Sequence, residues 1–93
     1  MEVRFLVDLD TGLPHIDRHN VVPHEVLEVL RRRAFDVPHG EDTRLAEGQT
    51  LAGRYLRVIY KVNEIDDSLL VITAYDLRGN SLRAYRRRKR RRS

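Results

Sequence analysis

The chain has 93 residues and no cysteine, which leaves room for one domain with one modest core and excludes disulfides, thiolate nucleophiles and Cys-type zinc or iron–sulfur sites. Its 41% hydrophobic and 34% charged residues give the balance of a folded chain, not a disordered one. The formal charge is +4, but residues 83–93 hold eight of the 18 basic groups and none of the 14 acids, so the ten other basic residues are outnumbered and the body nets −4. Positive potential is therefore confined to one end, unlike that of a uniformly basic nucleic-acid binder.

The opening MEVRFLVDLD carries too short an apolar run for a signal peptide or a spanning helix, so a cytoplasmic protein with no membrane partner is expected. Within it Val3, Phe5 and Val7 alternate with Arg4, Leu6 and Asp8, the period of a half-buried strand. Asp10-Thr11-Gly12 is turn chemistry, and Pro14 suits the first turn of a short helix over 13–19. Asn20 tolerates a left-handed backbone and Pro23 opens a second helix over 23–33, with Val26, Val29 and Leu30 as its apolar stripe.

Short strands are expected over 35–37 and 43–50, with Pro38-His39-Gly40 between them. The two strongest strands follow. Residues 54–62 place Leu56, Val58, Tyr60 and Val62 on one face, and residues 69–77 are nearly apolar throughout. The polar loop 63–68 has hairpin length, which makes the pair antiparallel central neighbours. Ser81 can cap a last helix through Leu82 and Tyr85, which like-charge repulsion should fray beyond Lys89.

The order β-α-α-β-β-β-β-α predicts an α+β fold: a curved antiparallel sheet of four to five strands, two short N-terminal helices packed on it and a basic C-terminal helix. The expected organisation is one domain over 1–87 and an Arg-rich tail over 88–93.

HIDRHNV leading into PHEVLEVL, then GRYLRVIY, VITAY and SLRAYRRR, together resemble the BrnT-like toxins and a related domain family without an assigned activity, both placed near the RelE-type ribonuclease toxins. The resemblance spans most of the chain. In VITAY it runs to the second group, since the toxins more often carry arginine where this chain has Tyr75. It implies a compact toxin domain of a type II toxin–antitoxin system that cleaves RNA when free and is silenced by a cognate antitoxin.

Metal-free RNA cleavage needs a base for the ribose 2′-hydroxyl, cations for the phosphorane and an acid for the 5′-oxygen. His15 and His19 stand i and i+4, on one face if helical, within reach of one phosphate or one carboxylate. The bland alternative makes His19 a helix-closing side chain and leaves His15 exposed. Zinc lacks an obvious third ligand, so neither metal nor cofactor is expected. Arg54 and Arg57 on a central strand are candidates to grip phosphate, with an Arg54–Glu47 bridge as the alternative.

Tyr75 offers a phenol to a phosphate or a stacking face to a base, or else simply packs. The candidate catalytic set is thus His15, His19, Arg54, Tyr75 and Arg83. Arg57, Tyr85, Arg86, Arg87, Arg88, Lys89 and Arg90 are the candidate RNA-binding set, with Tyr85 equally suited to anchor the core. Five consecutive cations over 88–92 cannot form a packed helix face and are expected to be solvated or ordered by a partner. The competing class is a noncatalytic module that binds RNA or an acidic protein, and a sheet edge offers a route to a homodimer.

Overall fold

The computed structural model describes residues 2–92. Five strands, β1 (Val3–Phe5), β2 (Phe35–His39), β3 (Thr43–Gln49), β4 (Tyr55–Val62) and β5 (Leu69–Asp76), form one sheet in the order β1-β5-β4-β3-β2. Two α-helices, α1 (Pro23–Arg32) and α2 (Gly79–Arg92), and a 3₁₀ turn at His15–His19 complete the chain. The fold is α+β, as expected, and among the described residues no helix is long and apolar enough to cross a membrane.

The sheet is mixed, which corrects the all-antiparallel expectation. The strands β2 to β5 form an antiparallel meander, but β1 lies parallel to β5, pairing Val3 with Leu69 and Phe5 with Val71. Alternation of apolar residues fixes which face a strand buries and carries no information about its direction. The first strand also ends early: Val7 makes only an isolated bridge to Pro14. The first of the two expected N-terminal helices is a five-residue 3₁₀ turn, closed by Asn20 in the left-handed region at φ 56°.

Cross-strand partners share a face, so the register sorts the side chains. One face carries Leu69, Val71 and Ala74 of β5 beside Leu56, Val58 and Tyr60 of β4 and Ala46 of β3, and these form the main core with Ile16, Val21, Val26, Val29 and Leu30. Val26, Val29 and Leu30 are spaced to make one stripe of α1, and all are at most 3% exposed; burying each contributes about 1.5–3 kcal/mol. Gly48 allows the close approach of this helix, because a Cβ there would lie 3.3 Å from Val29 Cγ1 and 3.4 Å from Arg33 Cα.

Alternation along β5 is broken once. Ile59 pairs with Thr73 and Tyr60 with Val71, so Ile72 is an extra residue in β5. The bulge switches parity, placing Thr73 and Tyr75 on the face opposite Leu69 and Val71.

That second face is covered at one end by α2. Tyr85, 1% exposed, packs edge-on against Phe35 and Tyr55, with Leu77 and Leu82 beside them. Tyr85 is thus the core anchor among the two readings of it. The helix starts two residues before Ser81 and runs unbroken through Lys89 to Arg92, correcting the expected fraying. One cause is Arg88, three residues after Tyr85 and so on the same side of the helix. Its guanidinium lies 4.0 Å from the Phe35 ring centroid and 3.6 Å from Glu47 Oε1. The run 88–92 is therefore not wholly solvated, and α2 spans the boundary drawn at Arg87.

Candidate nucleic-acid interface

The 3₁₀ turn packs on β5, and two ring contacts tie its side chains together. His15 and His19 lie 5.8 Å apart between ring centroids, and His19 and Tyr75 also 5.8 Å, both edge-on. His15 Nδ1 meets Asp8 Oδ1 at 3.0 Å, and the other oxygen of Asp8 accepts from Arg18 Nε at 2.5 Å. The Arg18 guanidinium, then the His15 contact, holds the Asp8 carboxyl below its ordinary pKa. Beside this column is a cleft of about 290 Å³, lined by Arg18, His19, Asn20, Tyr75, Asp76 and Arg78.

Arg54, also a candidate, is engaged differently. Its side chain is a clasp: Nε and Nη2 donate to the Asp76 carboxylate at 2.7 and 3.1 Å, Nη1 to Glu25 Oε1 at 2.9 Å and to the Asn20 carbonyl at 2.7 Å, and Nη2 to the His19 carbonyl at 3.2 Å. Glu25 Oε1 also accepts from the Val22 N–H at 3.1 Å, at the start of α1. One guanidinium thus joins the 3₁₀ turn, α1 and β5. It is saturated with acceptors, which disqualifies it as a phosphate ligand and corrects both the catalytic reading and the proposed bridge to Glu47.

The partner of Glu47 is Arg57, directly across the β3–β4 ladder, with Arg57 Nη2 2.7 Å from Glu47 Oε2. Glu47 is 3% exposed. Burial works against the Arg57 charge, but Glu47 and then the Tyr75 hydroxyl outweigh it and hold the arginine above its ordinary pKa. Tyr75, Arg57 and Glu47 are cross-strand neighbours, so a polar strip crosses the sheet from His15 through His19, Tyr75, Arg57 and Glu47 to Arg88.

On α2, Arg83 bonds the Asn80 side chain and, unlike His19 and Tyr75, does not line the cleft. Arg86 lies over the Tyr55 ring at 5.2 Å and Lys89 over that of Tyr85 at 6.0 Å. Arg87 and Arg90 are exposed. The structure thus brings together His15, His19 and Tyr75, adds Arg57 beside them, commits Arg54 to the clasp that holds the His19 and Asn20 carbonyls, and leaves Arg83 on α2. The sequence reading missed Arg18 and Arg78. Arg18 lies within the HIDRH segment and Arg78 directly after β5, and only the folding of the 3₁₀ turn against the β5 end makes them neighbours.

Among the described residues no three His, Cys, Asp or Glu side chains converge as metal ligands. Comparison with known protein families, curated proteins and solved structures finds no match to this chain.

Proposed function

We propose that the protein is a metal-independent endoribonuclease with a BrnT-like, RelE-type toxin fold, the RNA-cleaving half of a type II toxin–antitoxin pair. The observation that carries this reading is the His19–Tyr75 ring contact on the wall of a cleft that also holds the Arg18 and Arg78 side chains. These are the side-chain types that metal-free RNA cleavage requires.

His19 takes the proton from a ribose 2′-hydroxyl, whose oxygen attacks phosphorus as the bond to the 5′-oxygen breaks. Tyr75 hydrogen-bonds a phosphate oxygen, and Arg18 and Arg78 meet the developing phosphorane charge. The proton returns from His19 to the departing oxygen, directly or through water, leaving a 2′,3′-cyclic phosphate and a 5′-hydroxyl. His15, held by Asp8, orients His19. The cations of α2, with Arg87 and Arg90 exposed, carry the flanking RNA backbone and present a surface to an acidic cognate antitoxin.

A second reading, a noncatalytic module that binds RNA or a protein partner, is favoured by the state of Arg54, just before β4, and Arg57, within it. Arg54 is fully engaged by its clasp and Arg57 faces a buried carboxylate, which leaves the sheet little free positive charge. Incubation of the full chain with mixed single-stranded RNA in EDTA at low salt separates the two. Cleavage that disappears in His19→Ala supports the nuclease; intact RNA with a retained, salt-sensitive gel shift supports the module.

A further inference from the structure

Residues of the sheet end and of α2 line a second pocket, open to solvent and of about 220 Å³, formed by Gln49, Tyr55, Tyr85, Arg86, Lys89 and Arg90. Its volume lies below the ~300 Å³ at which pockets for drug-sized ligands begin, and suits a single ring system. Tyr85 is only 1% exposed and forms floor. Tyr55 is half-buried, and the guanidinium of Arg86 already lies over its ring, 5.2 Å from the centroid. A flat, delocalised cation on a phenol ring marks a surface on which a nucleobase also stacks. The rim is cationic, which suits the phosphate of the same nucleotide.

Gln49 supplies a polar group with a fixed sense. Its Nε2 donates to the Gly53 carbonyl at 3.1 Å, and a carbonyl can meet only the NH₂ end of an amide. The turn that holds this carbonyl is itself bonded, Gly53 N–H to Thr50 O at 3.0 Å and Thr50 N–H to Arg54 O at 2.8 Å. The Gln49 amide oxygen is therefore the atom left for a ligand, and it is an acceptor.

We propose that this cavity is a one-nucleotide subsite for single-stranded RNA, selecting a base with an exocyclic amine, as cytosine has at N4 and adenine at N6. The base replaces the Arg86 guanidinium on the Tyr55 ring, Arg86 turns to the phosphate, and the Gln49 amide oxygen accepts from the amine. Uracil presents a carbonyl oxygen at the position of the cytosine amine and is disfavoured. The subsite deepens the RNA reading above and rests on RNA being the ligand, but not on cleavage.

The test is fluorescence anisotropy of the full chain with labelled 2′-O-methyl C8 and U8, which have no 2′-hydroxyl and cannot be cut. C8 and U8 match in charge and ring size, so the phosphate contribution cancels in their ratio. C8 should bind about tenfold tighter than U8, and Gln49→Leu should bring the ratio to near one while leaving U8 affinity within twofold. Gln49→Glu, which keeps acceptor oxygens, should retain a preference for C8 although both probes weaken. Equal binding of C8 and U8 by wild type, or an undiminished preference in Gln49→Leu, overturns the subsite. Selective binding without cleavage in EDTA would sink only the nuclease, and cleavage with equal C8 and U8 affinities only the subsite.

Discussion

On the α1 side of the sheet, Leu56, Val58, Val71 and Ala74 are at most 1% exposed and close against Val26 and Val29. On the α2 side, the residues interleaved with them, Arg57, Thr73 and Tyr75, are half-buried and polar. The same two strands supply both sets. Leu56, Val58, Val71 and Ala74 meet apolar partners, so side-chain volume governs that part of the first face. The second is roofed at one end by a helix of cations, which leaves a strip where charge and hydrogen bonding decide what binds. Stability and chemistry are thus largely segregated by the side to which a strand residue points, and substitutions on the two sides should fail in different ways.

The largest expected effect tests the open side. His19 is exposed and its ring touches His15 and Tyr75, so His19→Ala should reduce RNA cleavage by about 10²–10⁴-fold and alter stability by no more than about 0.5 kcal/mol. Cleavage assays paired with urea unfolding read both numbers. A loss of stability as large as that of a core truncation would mean that the ring column is packing, not machinery.

Arg54 sits where the two sides meet and should break the separation. Arg54→Ala removes the cation from the part-buried carboxylates of Asp76 and Glu25, which are 22% and 16% exposed; among the described residues Asp76 keeps the exposed Arg78 at 3.2 Å and Glu25 the Val22 N–H at 3.1 Å. The expected cost is about 3 kcal/mol, a fall of roughly 15 °C in melting temperature for a domain of this size. Cleavage should fall too, below the melting point, because the clasp fixes the His19 and Asn20 carbonyls. Unchanged stability would show that the clasp is solvated in solution.

The same clasp sets an acid dependence. Arg54 holds the Asp76 carboxyl below its ordinary pKa, against the opposing pull of burial. A carboxyl with a depressed folded pKa contributes stability that is present above its unfolded pKa of about 3.9 and is lost as pH falls through the lower folded value. The urea midpoint of wild type should therefore drop more steeply than that of Arg54→Ala as pH is taken from 5 to 2. Parallel curves would remove Asp76 from the account.

Much of the framework was legible in the residues: α1 in its stripe and Pro23, the β4–β5 hairpin in two apolar runs around a polar loop, and the corner in Asn20. The site was legible only in part. Alternation counted from Leu69 puts Tyr75 on the core side, and only the extra residue at Ile72, which no turn or glycine signal announces, sends it to the other. Arg54 and Arg57 look alike as two arginines at the start of a strand. The ladder gives Arg57 to Glu47, while Arg54, just before the strand, turns to acceptors 22 to 35 residues away in sequence. Register and long-range partners of this kind depend on the assembled sheet, which periodicity does not encode.

Thr73 gives the smallest effect and the finest test of the difference between the faces. It follows the bulge on the α2 side, and its Oγ1 is buried without a hydrogen-bond partner among the described residues. A desolvated hydroxyl with no partner is a net cost, whereas valine keeps the branched shape that a strand accommodates. Thr73→Val should therefore raise stability by up to about 1 kcal/mol, read as a higher urea midpoint at unchanged slope, with cleavage intact because Thr73 lines neither cavity described above. A lower midpoint would mean that the hydroxyl is hydrogen-bonded in solution, by water reaching the strip or by a partner group. The α2 face would then be wet this deep into the sheet, and the polar strip would extend one residue pair further from α2 than Tyr75 and Arg57.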